Sequence, residues 1–403
     1  MRISTQQFHQ RAVDMLHEQQ TRLVQTQRQL ATGRRFEVAA EDPLAAGQAL
    51  RLTREVATTE QYQANANAVR LRQELQEAAL GQVTEVLHQA RELLVQAHGA
   101  ASFNANERHA FAQRLEQHLT SLVGFANARD GGGEYLFAGD QSGTRPFSDA
   151  GQGQVVYQGD LGQRHIPIGP GVSAAMTASG AEVFGGVREG NGRFVTAADP
   201  SNTGSGAISI GQARGDWTSG AYRLTIVQPA PARPPTYEVH DADDNLVAAG
   251  DYVSGAPIRF QGAEVAVTGS PAHGDTFQIT PAGQRDLFSI LRGAAQALTE
   301  AGEVPAGRAR LQVGLNRGLA ELDAALDHVL SQRAQIGARL DQIDRQTDAN
   351  EAFRLVATEA LSEVQDLNYA EAAMRLQTGM LALEAAQRSY VSIQDLSLFR
   401  FLR

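Results

Sequence analysis

From Leu315 onward, Leu319, Leu322, Leu326, Val329, Ile336, Leu340 and Ile343 follow at steps of four and three, and only Arg333 interrupts them. A repeat that averages 3.5 residues holds one apolar seam along a helix, and a seam of that length needs a long helical partner to cover it. The rest of the chain must therefore supply one. Residues 43–98 qualify, with Val69, Val83, Ala90 and Ala97 in one heptad row and Leu80, Leu87 and Leu94 in the next. At ~1.5 Å per residue both helices extend for tens of ångströms. The two partners lie far apart in sequence, so the expected bundle is discontinuous.

Local signals set the helix boundaries. Leu16, Leu23 and Leu30 recur every seven residues, and Gly33 then supplies the left-handed position that commonly follows a helix end. Asp42-Pro43 has the form of an N-cap with proline at the first helical position, so a second helix starts near residue 43 and stops at Gly99. A third, from about 105 to 128, carries Phe111, Leu115, Leu119, Leu122 and Phe125 ahead of Gly131-Gly132-Gly133.

Between residue 130 and residue 286 the composition changes. Glycine, threonine, valine, tyrosine and proline rise, and alternating runs such as Tyr222–Val227 and Ala263–Gly269 sit between turn formers, the pattern of strands and hairpins. The class is α+β. Residues 134–185 are expected as hairpins against the bundle, and 190–285 as a separate domain with Trp217, Tyr222, Tyr237, Tyr252 and Phe277 in its core, either a sandwich or a small barrel.

The last stretch differs from the rest. Leu367, Met374 and Leu381 form one heptad row, while Leu376, Leu383 and Tyr390 form another ~200° around the helix. One row can pack on Leu16, Leu23 and Leu30. The other, continued by Ile393, Leu396 and Phe399, has no partner in this chain. Left in water it would forgo ~1.5–3 kcal/mol for each side chain that burial would have stabilised. These twelve residues are the candidate assembly surface, to be covered by other subunits.

Several function classes are disfavoured. A net charge of -10 and a pI near 5.5 argue against nucleic-acid and acidic partners. The absence of cysteine removes disulfides and thiolate metal sites. All basic residues other than histidine are arginine, so no P-loop or Schiff-base lysine exists. The start lacks a signal-peptide layout, and no run nears the ~20 apolar residues of a membrane span, so neither a span nor export by that route is expected. The histidines fall in no metal-ligand spacing, and no G-x-S-x-G elbow or dinucleotide fingerprint is present. Asp241, Asp243, Asp244 and Asn245 resemble part of a calcium loop, but glycine at 246 and glutamate at 252 are missing, so a hairpin tip is expected. No cofactor, metal or catalytic residue is expected.

Five stretches carry a family resemblance: Met1–Phe8, Leu30–Leu52, Glu134–Phe147, Val156–Asp160 and Asp395–Leu402. In order and spacing they resemble the flagellar hook-associated protein 3 family, flagellin-like proteins of the hook–filament junction. The resemblance implies a discontinuous coiled coil and bundle from both termini, with an inserted β-hairpin region and an outer β domain. Its expected divisions are 1–40 with 366–403 as terminal coiled coil, 41–189 with 286–365 as bundle, and 190–285 as outer domain. It further implies a secreted, extracellular axial protein exported unfolded through the flagellar type III apparatus. Its partners would be its own copies in a ring, the first hook-associated protein, flagellin, and an export chaperone on the C-terminal helix. Flagellin itself is the alternative, since Ala31–Leu50 also resembles a flagellin segment, but Pro43 and the Leu396–Leu402 ending fit the junction family better. A displayed enzyme would need a catalytic set within 190–285, and none is legible there.

Overall fold

The seams and caps become long helices in a computed structural model, which describes residues 2–99, 104–151, 154–228, 234–300 and 302–399. Side chains at 2–6, 8 and 393–399 lie outside that description. The helices are α1 (Arg2–Thr32), α2 (Pro43–Gly99), α3 (Ala105–Ala126), α4 (Gly180–Phe184), α5 (Leu287–Thr299), α6 (Pro305–Gln365) and α7 (Tyr369–Phe399). α1 stops where Gly33 takes a φ of 71°. Asp42 caps α2, its Oδ1 accepting the Ala45 N–H at 3.0 Å. Asn104 and Glu107 exchange side-chain and backbone hydrogen bonds at the start of α3, a capping box that satisfies two otherwise orphaned donors.

The chain forms two compact units, residues 1–64 with 346–403 and residues 65–345. In the second unit α2 and α6 run antiparallel, as the descending pairs His98–Asn316 (2.9 Å), Arg91–Asp323 (2.6 Å) and Arg70–Asp344 (3.6 Å) establish. The seam faces inward. Leu315, Leu322, Leu326, Val329, Ile336 and Ile343 are buried, with Leu319 and Leu340 half-buried beside them. Arg333, the interruption, reaches Glu77 of α2 at 2.6 Å. A charge on a seam is tolerated when an opposite charge meets it.

α3 and α5 pack on each other and join the same core. There Phe137, Phe147, Phe184 and Phe288 form an aromatic cluster with ring centroids 5.0 to 5.8 Å apart. The hairpins 147–149/155–157 and 165–169/172–175 close over the helices. Ile168 and Ala174 bury against Ala66 and Val69 of α2 and Ile343 of α6. Polar side chains of α2 stitch the loops down. Arg72, 3 % exposed, meets Asp130 at 2.8 Å, Glu134 at 3.2 Å and the Tyr135 carbonyl at 2.7 Å. Gln73 and Gln76 donate to the Ala175 and Leu136 carbonyls.

The chain leaves the bundle after strand 187–188 and returns on 284–285, which pairs with it. Between them, one five-stranded sheet has the order 246–251, 236–240, 222–227, 276–281, 194–198, and a second has the order 257–260, 263–268, 207–208. Their inner faces share one core, from Tyr222, Leu224, Ile226 and Phe277 on one side to Ile258, Val265 and Val267 on the other. This is a sandwich of two open sheets, not a closed barrel. Tyr252 and Phe277 are buried in it with Tyr222, while Trp217 and Tyr237 pack half-buried at its rim. Asp241–Asn245 forms the tip of hairpin 236–240/246–251, with Asp241 accepting N–H groups of Asp243 and Asn245. The Asn245 side-chain amide, donating to Asp241 Oδ2 at 3.1 Å, is the chief cause that holds the Asp241 carboxyl below the usual range, and the backbone bonds add to it. Among the described residues no group of three His, Cys, Asp or Glu is placed to hold a metal, and no helix is long and apolar enough to cross a membrane.

Candidate assembly interface

In the terminal unit, α1 and α7 lie antiparallel. The His9 ring meets Tyr390 edge-on at 5.9 Å near one end, Leu23 faces Gly379 midway, and Gly33 faces the Tyr369 hydroxyl at the other. The turn there is ordered by backbone pairing. Arg35 N–H donates to the Gln365 carbonyl at 2.8 Å and Leu367 N–H to Gly33 at 2.9 Å. Asn368 then starts α7, its Oδ1 accepting the Glu371 N–H at 3.3 Å.

The seam follows a strict four-three rhythm on both helices. On α1 it comprises His9, Ala12, Leu16, Gln19, Leu23, Thr26 and Leu30, and on α7 Ala372, Leu376, Gly379, Leu383, Ala386 and Tyr390. Every one of these is buried or half-buried. Large side chains thus alternate with small or polar ones on each helix, so the helices approach closely but bury little area. Sequence reading found only the large members, because Gln19, Thr26 and Gly379 do not register as apolar. Their seven-residue spacing was the signal that would have revealed them.

The candidate residues separate into distinct environments. Leu16, Leu23, Leu30, Leu376, Leu383 and Tyr390 come together in the seam. Leu367 is not on the helix that carries Met374 and Leu381: it sits in the turn before α7 and is 6 % exposed. The Asn368 cap splits that heptad row. Met374 and Leu381 face away from the seam, 64 % and 61 % exposed. Ile393 and Leu396 with Phe399 fall on α7, but their side chains lie outside the described residues.

Two shallow grooves flank the seam. One, about 550 Å³, runs past Gln19, Arg22, Leu23, Met374 and Thr378. The other, about 460 Å³, is lined by Leu23, Gln27, Met380, Leu381 and Leu383. The exposed ion pairs Arg22–Glu18, Arg375–Glu371 and Arg388–Glu384 each lie within one helix and contribute little to holding the two together. Met374, Met380 and Leu381 leave an apolar stripe exposed beside these grooves.

Residues 3–142 match the family model of the bacterial flagellin N-terminal helical region. Flagellar hook-associated protein 3 of Salmonella typhimurium is 29% identical over 187 residues, 46% of this chain and 58% of that protein. The chain thus spans about half the length of the curated relatives it matches. Among solved structures, Xanthomonas campestris FlgL is 32% identical with a TM-score of 0.72, covering 77% of this chain and 99% of that one. The hook-associated protein 3 of Legionella pneumophila is 28% identical with a TM-score of 0.74, covering 78% and 98%.

Proposed function

We propose, from the premise that the chain belongs to the flagellar hook-associated protein 3 family, that it is the structural subunit joining the flagellar hook to the flagellin filament. Members of that family are structural proteins of the flagellum, not enzymes. The observation that carries the reading is the α1/α7 pair, whose seam is covered on one side while Met374, Met380 and Leu381 stay exposed on another. Copies of the chain and neighbouring axial proteins would cover that face in a closed ring. On this reading the first hook-associated protein lies on the hook side and flagellin on the filament side.

The terminal segments 1–40 and 366–403 act as the assembly domain, 41–189 with 286–365 as the load-bearing bundle, and 190–285 as the outer domain. Leu16, Leu23, Leu30, Leu367, Leu376, Leu383 and Tyr390 hold the pair, and Met374, Leu381, Ile393, Leu396 and Phe399 meet other chains. The subunit is secreted unfolded through the flagellar type III apparatus, and a dedicated chaperone covers the C-terminal helix beforehand. The physical need is the same exposed face: uncovered apolar stripes promote association at the wrong time and place.

Two measurements test this. Immunogold electron microscopy with antibodies against residues 190–285 should label one short zone between hook and filament; label along the whole filament would instead make the chain a flagellin. Leu381→Asp changes an exposed position and leaves the intramolecular seam intact. It should be secreted and folded yet fail to incorporate, and normal flagella from that variant would remove Leu381 from the interface.

A further inference from the structure

The outer β domain joins the bundle through only two chain crossings, paired over Val187–Arg285 and Arg188–Gln284. A two-stranded ribbon this short bends readily. Among the described residues the helices contribute only Ala309 and Val313 of α6 to the domain's core, and one exposed bond, from Arg310 Nη1 to the Pro200 carbonyl at 2.7 Å, crosses beside them. A cleft of about 790 Å³ opens beside the crossing, lined by Thr196 and Pro200 on the domain side and by Ala297 and Gly314 on the helix side. Covalent and apolar connections alone describe a hinge.

Four charges close a ring at that point. Glu321, 2 % exposed, receives Arg317 Nε on one oxygen at 2.7 Å and Arg285 Nη1 on the other at 2.9 Å. Glu189 faces the same two arginines at 3.3 and 3.6 Å. Its second oxygen accepts the Gly283 N–H at 3.2 Å, while Arg285 also donates to the Ser289 carbonyl at 2.6 Å. Glu189 and Arg285 stand on the crossing strands or next to them, whereas Arg317 and Glu321 stand one turn apart on α6.

We propose that Glu189, Arg285, Arg317 and Glu321 form a lock that fixes the angle of the outer β domain on α5 and α6. Each charge meets two of opposite sign, and a buried carboxylate released from both arginines would be left uncompensated, so tilting the domain is opposed in every direction that opens the ring. Apolar contact through two small side chains would permit many angles. The paired charges select one. Burial also protects the pairs from screening, so the lock holds in high salt.

The chain has no cysteine, so nitroxide labels can be placed by Gln117→Cys on α3 and Ala249→Cys on an exposed strand of the outer domain. Pulsed electron paramagnetic resonance on the full chain should give one narrow distance in low and high salt. Glu321→Gln and, separately, Glu189→Gln should lose that single narrow distance, while circular dichroism remains that of the parent. Should Glu321→Gln fail to fold, the partly exposed Glu189→Gln decides alone. A distribution as narrow as the parent's in the folded variants would overturn the proposal and assign the angle to the ribbon with Ala309, Val313 and the Arg310–Pro200 bond.

Discussion

The unit of residues 65–345 and the terminal unit use similar helical repeats to opposite ends. In the former, Leu80, Leu87, Leu94, Leu115, Leu122, Phe137, Phe184 and Phe288 are all below 2 % exposed, and the apolar rows close on each other. In the latter the α1/α7 seam is mostly half-buried, with only Ala372 fully enclosed, and a smaller set of residues carries most of the large exposed apolar side chains. The seams share a period but differ in occupancy. On α6 every seam position but Arg333 is leucine, isoleucine or valine, whereas α1 and α7 alternate large members with Ala, Gly, Thr and Gln. Changing every second seam residue is enough to turn a closed seam into a half-buried one.

The largest test of that contrast is Phe288→Ala, which empties the centre of the aromatic cluster and should cost ~3–5 kcal/mol of stability in chemical denaturation. Leu23→Ala in the terminal seam should cost about 1 kcal/mol, well below the ~2–5 of a fully buried leucine; a loss as large as that of Phe288→Ala would end the comparison. Arg72→Met should fall between them, at ~2–3 kcal/mol, because it unpairs Asp130 and the Tyr135 carbonyl although Glu134 remains half-solvated. Asp286→Ala removes the N-cap of α5 and should cost ~1 kcal/mol.

A smaller effect sharpens the same point through pH. Burial, with Arg114 nearby, lowers the pKa of His118 on α3 below its ordinary value. The unfolded chain then takes up the proton more readily, so stability of the residue 65–345 unit declines as pH drops below ~6.5 and levels off under the folded pKa. His118→Gln should flatten that slope in thermal melts between neutral and mildly acidic pH. At the bottom of the scale, Leu381→Ala should change the monomer by no more than ~0.5 kcal/mol, its consequence appearing only on assembly. Hydrogen exchange should likewise be faster in α1 and α7 than in residues 80–94 of α2.

Much of the fold is legible because it is written in local chemistry. Gly33 with its φ of 71°, the Asp42 cap and the Asp241 hairpin tip depend on neighbours a few residues away, so spacing alone places them. The strands Tyr222–Val227 and Ala263–Thr268 follow from alternation, since one face of each must be dry. The polar contacts inside the bundle were not legible. Gln76 falls at the heptad position between Val69 and Val83, a break in the row, yet its use in holding the Leu136 carbonyl depends on a loop sixty residues on.

The sequence by itself determined that long helices from both ends of the chain flank a β-rich middle, that α1 stops at Gly33, and that α2 starts behind the Asp42 cap. Period and capping are short-range properties, fixed by 3.6 residues per turn and by unsatisfied backbone groups at helix ends. Tertiary structure alone decided that Leu376 and Leu383 enter the seam while Leu381 stays outside, that Leu367 turns into the α6/α7 connection, and that Arg285 meets Glu321 at the neck of the outer domain. These outcomes depend on which distant groups share a desolvated space, and no local spacing encodes that.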